Sequence, residues 1–131
     1  MNATTTRGLR KRVLLIDDDS DVRGALGEIV AVLGYDTELA ASGAEGMTLF
    51  DANHFDIVLT DLLMPGMTGW EVVDEVRKRN PKTPVLIITG SALYPEDRRG
   101  WKPGVALVSK PVDMNFLENA IAKMIQEAER S

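Results

Sequence analysis

At 131 residues, with 44% hydrophobic and 27% charged side chains, the chain has the composition of one ordinary globular domain with enough apolar mass for a sizeable core. Its formal net charge of −5 argues against nucleic acid or an anionic membrane as the main partner, because phosphate-backbone binding needs a concentrated basic face. The lack of cysteine excludes disulfides, thiolate metal sites and a cysteine nucleophile, and no apolar run approaches the roughly 18 residues of a membrane span.

The opening M-N-A-T-T-T-R-G-L-R lacks the apolar stretch of a secretory signal, so the cytoplasm is the default location. Arg7, Arg10, Lys11 and Arg12 cluster there, and residues 1–10 read as a solvated leader rather than a binding patch. The first apolar run, V-L-L-I (13–16), ends on Asp17, Asp18 and Asp19. Adjacent carboxylates repel: two unit charges about 4 Å apart cost roughly 1 kcal/mol in bulk water and several times that near a protein surface. A bound cation is the obvious offset, although Asp19 or Ser20 can also simply cap the helix that follows and stops at Gly34.

T-E-L-A (37–40) is the second strand, and Ser42 with Glu45 matches a capping box opening the second helix. His54, in N-H-F-D, reads as a turn residue before the third strand, D-I-V-L-T (56–60). Thr68 with Glu71 opens the third helix, which Asn80-Pro81 ends; P-V-L-I-I-T (84–89) is the fourth strand. Between Thr89 and Val105, the residues Pro95, Gly100, Pro103 and Gly104 leave room for about two turns, so the fourth helix is predicted to be short or irregular, starting near Pro95. V-A-L-V (105–108) is the fifth strand. The last helix is predicted from an Asp113 cap to about residue 129, with Phe116, Leu117, Ala120, Ile121 and Met124 as its core stripe.

Short, continuous Val/Ile/Leu runs alternating with amphipathic stretches predict a single (βα)₅ doubly wound parallel sheet over residues 11–129. In such sheets ligands sit beyond the carboxyl ends of the strands, where strand order reverses. The first strand ends in the three aspartates, the third in Thr60-Asp61, the fourth in Thr89 and the fifth in Ser109-Lys110. With the second strand outermost, in the flavodoxin-like order 2-1-3-4-5, these four ends converge. Carboxylates there can hold Mg²⁺, which prefers oxygen ligands, and a lysine with a hydroxyl facing it suits a phosphoryl group. Taken singly, Asp61 could cap a turn, Thr89 could be satisfied by backbone and Lys110 could be a surface lysine; their joint placement is what points to a site.

Four blocks then resemble the receiver domain of two-component response regulators, the fold of the chemotaxis receiver protein: V-L-L-I-D-D-D-S-D-V-R (13–23), D-I-V-L-T-D-L-L-M-P-G-M-T-G-W-E (56–71), V-L-I-I-T-G (85–90) and V-S-K-P (108–111). The resemblance implies that Asp61 is the phosphoacceptor, that Asp18 binds Mg²⁺ directly and Asp17 largely through water, and that the Leu63 backbone carbonyl completes the coordination. Lys110 would pair with phosphoryl oxygens, aimed by a cis Lys110–Pro111 bond, and Thr89 would donate its hydroxyl to one of them. A histidine kinase or histidine phosphotransfer domain would supply the phosphoryl group. Phosphorylation would draw Thr89 inward and reshape the face made by the fourth helix, fifth strand and fifth helix.

The chain departs from the family where an aromatic switch residue usually stands, three before the lysine, and has Leu107 there. With the shortened proline-rich segment this predicts an atypical output face near Trp101, and the resemblance implies that Leu63 and Ser91 hold positions that in the family tune phosphate lifetime. Two rival readings stand: a degenerate receiver acting only as an interaction module, and a haloacid-dehalogenase-type phosphohydrolase with Asp17 as nucleophile and Asp19 as acid/base. The second leaves Asp61 and the M-P-G-M-T-G loop unexplained.

Overall fold

The computed structural model describes residues 10–90 and 103–130. Strands β1 (Arg12–Ile16), β3 (Ile57–Thr60) and β4 (Val85–Thr89) are Val/Leu/Ile runs that are almost wholly buried. By contrast, β2 (Asp36–Ala40) and β5 (Val105–Ser109) are only partly covered, as edge strands of a parallel sheet are. All pairings are parallel, in the order β2-β1-β3-β4-β5 that the polar strand ends predict. Ile16 lies level with Ala40 and Thr60, and Thr89 with Ser109, so the polar ends share one edge of the sheet.

Among the described residues four helices cover the two faces: α1 (Ser20–Val32), α2 (Gly43–Ala52), α3 (Gly69–Arg79) and α4 (Met114–Glu129). Because side chains alternate along a strand, β1 feeds two cores. Leu14 and Ile16 join Met47 of α2 and Val72, Val73 and Val76 of α3. Val13 and Leu15 join Leu26 and Val30 of α1 and Leu117, Ile121 and Ile125 of α4. Each fully buried aliphatic side chain contributes roughly 1.5–3 kcal/mol of transfer free energy, and β1 and β4 place such residues on both faces. The predicted short helix near Pro95, with Ser91 and Trp101, lies outside the described residues.

The helix signals in the sequence are mostly realised, with two corrections. Asp19 caps α1 by accepting from the Asp21 and Val22 amides, Asp113 caps α4 through the Phe116 amide, and Thr68 with Glu71 forms a complete capping box. At α2 the box is displaced: Ser42 accepts from the Glu45 amide, but the Glu45 carboxylate reaches the Ala41 amide, one residue further back than the cap. Phe116, predicted in the core stripe of the last helix, is 48% exposed. The buried seam runs at i, i+4 and i+8 through Leu117, Ile121 and Ile125, and Phe116 lies one residue outside it.

Candidate functional site

The chain leaves β1, β3 and β5 under continued backbone control. The Asp17 amide donates to the Ala40 carbonyl at 3.1 Å, the Asp61 amide to the Ile16 carbonyl at 3.0 Å, and the Lys110 amide to the Thr89 carbonyl at 2.8 Å. Each residue just past a strand is thus fixed by the neighbouring strand, which brings Asp17, Asp61 and Lys110 to one place although they are far apart in sequence. The Lys110–Pro111 peptide bond is cis, and Lys110 Nζ lies 3.3 Å from Asp17 Oδ2 and 3.9 Å from Asp61 Oδ1.

Carboxylate oxygens of Asp17, Asp18 and Asp61 all lie within 4.8 Å of one another. Their burial grades outward. Asp17 is 1% exposed and uses both oxygens, Oδ1 accepting from the Asp19 amide at 2.9 Å and Oδ2 facing Lys110. Asp61 is intermediate, with Oδ1 accepting from the Leu62 amide at 2.8 Å, and Asp18 is exposed. Burial pushes the Asp61 carboxyl above its ordinary range; the Lys110 ammonium and the Leu62 amide pull it back, while the Asp17 and Asp18 charges add to the rise. One ammonium therefore stands against three carboxylates. The donors are all oxygen, the type a hard divalent cation such as Mg²⁺ takes, and Asp18 is open to bulk water from which such an ion keeps part of its shell.

Among the other residues singled out in the sequence, Thr89 closes β4 and is 1% exposed. Leu63 lies in the turn after Asp61 with its side chain 59% exposed. Leu107 lies opposite Ile87 on β5, partly buried against the core beneath α2 and α3. His54 is in the turn before β3, with Nε2 3.1 Å from Asp56 Oδ1, at the other end of that strand from Asp61.

Two residues of the site carry no role in the sequence reading. Gly69 opens α3 with its amide donating to the Leu62 carbonyl at 2.8 Å, and a Cβ there would come within 2.6 Å of the Asp61 carbonyl oxygen. Only glycine lets the helix start that close to the Asp61 backbone; the M-P-G-M-T-G loop contains the signal without saying which glycine is sterically required. Arg23 sits one turn into α1 and its Nη1 donates to the Asp17 carbonyl at 2.8 Å. The D-V-R triplet carries that residue, but nothing in its spacing indicates a backbone target.

Comparison with known proteins finds relatives in both sequence and fold. Residues 13–122 match the family described as response regulator receiver domain. The transcriptional regulatory protein GlrR of Escherichia coli K12 is 33% identical over 117 residues, which is 88% of this chain and 26% of GlrR. The sensor histidine kinase RcsC of the same organism is 29% identical over 120 residues, 91% of this chain and 13% of RcsC. The chain thus spans about a quarter or less of these two curated relatives. The crystal structure of a response regulator receiver domain protein from Clostridium thermocellum superposes with a TM-score of 0.83 at 29% identity, covering 91% of this chain and 97% of that one.

Proposed function

This chain belongs to the response regulator receiver domain family, and from that premise we propose that Asp61 is the residue on which it accepts a phosphoryl group. Receiver domains are the phosphoacceptors of two-component signalling and pair with histidine kinases or phosphotransfer proteins. The observation that carries the assignment is the inequality of the three carboxylates. Asp17 is buried with both oxygens engaged, which suits it to holding and not to attack, whereas Asp61 has Oδ1 fixed and Oδ2 without a hydrogen bond among the described residues. The same engagement of Asp17 disfavours the phosphohydrolase reading in which it is the nucleophile.

In the proposed reaction Asp61 Oδ2 attacks the phosphorus of a phosphohistidine in line. The new P–O bond forms as the P–N bond breaks, and the imidazole leaves with the electron pair of that bond and takes up a proton. Fixing Oδ1 on the Leu62 amide orients the carboxylate before the donor arrives, so less ordering is left to the moment of reaction. Lys110 sits close enough to turn its ammonium from Asp17 and Asp61 to the phosphoryl oxygens, and the Thr89 hydroxyl is the further donor. A Mg²⁺ ion held by Asp17, Asp18, Asp61 and the Leu63 carbonyl would supply charge neutralisation of the transferring group.

We take residues 11–129 as the receiver unit, with 1–10 as a leader. Hydrolysis of the acyl phosphate by the same site, switching of the output face through Thr89 and Leu107, and a cytoplasmic location complete the reading. No helix among the described residues is long and apolar enough to cross a membrane. The test is transfer of labelled phosphate from a phosphorylated histidine phosphotransfer domain. Label should move to the wild-type chain in the presence of Mg²⁺ and fail to move to Asp61→Asn. A chain that binds the donor without taking label would instead mark it as a degenerate interaction module.

A further inference from the structure

We infer that Arg23 is a positioning residue for the acidic site: by holding the Asp17 carbonyl it sets the direction in which Asp18 presents its carboxylate to a divalent cation. The inference rests on the reading of Asp17, Asp18 and Asp61 as a metal site.

Asp17 and Asp18 are oriented by different means. The Asp17 side chain is held at both oxygens, by the Asp19 amide and by Lys110. Asp18 is exposed, and among the described residues no hydrogen bond or ion pair holds its carboxylate. Its direction is therefore inherited from its backbone. The Asp17 carbonyl lies in the same planar peptide unit as the Asp18 amide, so a contact that fixes that oxygen fixes the plane from which Asp18 departs. This oxygen accepts from Arg23 Nη1 at 2.8 Å. The other end of the anchor is firm: the Arg23 amide donates to the Asp19 carbonyl at 2.9 Å, inside a helix start that the Asp19 side chain caps. Helix, guanidinium and peptide plane close a loop from Asp17 to Arg23, and Asp18 lies within it.

A simple charge role predicts the opposite sign. Arg23 is a permanent cation near the acidic cluster, and a cation repels an incoming divalent ion. Removing the charge alone should tighten metal binding, whereas removing the anchor should weaken it.

The experiment is calorimetric titration of the metal-free chain with Mg²⁺ for wild type, Arg23→Met and Arg23→Lys, alongside the phosphorylation rate with phosphoramidate at saturating Mg²⁺. Losing an outer contact that orients a metal ligand typically weakens metal binding about tenfold or more. Arg23→Met should therefore bind Mg²⁺ about tenfold more weakly while recovering most of the wild-type rate at saturation, and Arg23→Lys, which keeps one donor and the charge, should restore most of the affinity. Unchanged or tighter binding by Arg23→Met overturns the inference, as does a loss in Arg23→Lys as large as in Arg23→Met. Should Arg23→Met not fold, Arg23→Gln carries the same test: weaker Mg²⁺ binding supports the anchor, and unchanged or tighter binding overturns it. A wild-type chain that does not bind Mg²⁺ sinks the proposed function and this inference together, whereas a phosphorylated wild type with an Arg23→Met of equal affinity sinks the inference alone.

Discussion

The carboxylates gathered at the site repel one another. Asp61 faces two carboxylates and one ammonium, and a like-charged pair about 4 Å apart costs on the order of 4 kcal/mol at the dielectric of a protein surface. Lys110 offsets part of this. Asp61→Asn should therefore raise the metal-free melting temperature, by about 4 °C for a net gain near 1 kcal/mol, and thermal denaturation in EDTA measures it. Lys110→Ala should act in the opposite direction. Asp17 is 1% exposed and would lose its ammonium partner, so stability should fall by roughly 3 kcal/mol and phosphoryl transfer should slow by about a hundredfold. Urea unfolding and phosphorylation kinetics check the two halves. These residues were legible in the sequence because each stands at the end of an apolar run. Arg23 was not, because its partner is a backbone carbonyl and backbone partners leave no residue type to look for.

At the scale of elements, the sequence reads well wherever a single period decides the outcome. The strands lie within one residue of the predicted apolar runs, and for β1, β3 and β4 burial on both faces leaves no alternation to misread. Caps are legible for the same local reason, and the displacement at α2 shows the limit of that: a Glu side chain can reach the amide before the cap as well as the cap itself. Phe116 shows another limit, because helical spacing places a residue near a stripe but only the packed partner decides where the stripe ends. Gly69 is the sharpest case of tertiary control. Its substitution by alanine would put a Cβ within 2.6 Å of the Asp61 carbonyl oxygen, so either the start of α3 or the Asp61 backbone must move. Gly69→Ala should cost about 1–3 kcal/mol in denaturant unfolding and also slow phosphorylation, because the displaced atoms belong to Asp61, the proposed acceptor.

For the whole molecule, the fold puts two apolar layers around one sheet and gathers Asp17, Asp61 and Lys110 at the edge where the carboxyl ends of the strands meet. Strand order was readable only through function: the polar ends make sense together if β2 is outermost, and periodicity alone does not order strands. Residues 91–102, between β4 and β5, lie outside the described residues, and the other three strand-to-strand connections each carry a helix. A ligand that binds only the folded chain stabilises it by mass action, about 2.7 kcal/mol at a hundred times its dissociation constant. Mg²⁺ should accordingly raise the melting temperature of wild type, an effect reversed by EDTA and much reduced in Asp18→Asn. The most direct measurement is the intact mass of the chain after incubation with phosphoramidate and Mg²⁺, for wild type and Asp61→Asn. One phosphoryl group should be added to wild type, lost on omission of Mg²⁺ and absent from the variant; an adduct of the same mass on Asp61→Asn would contradict the assignment of Asp61 as acceptor.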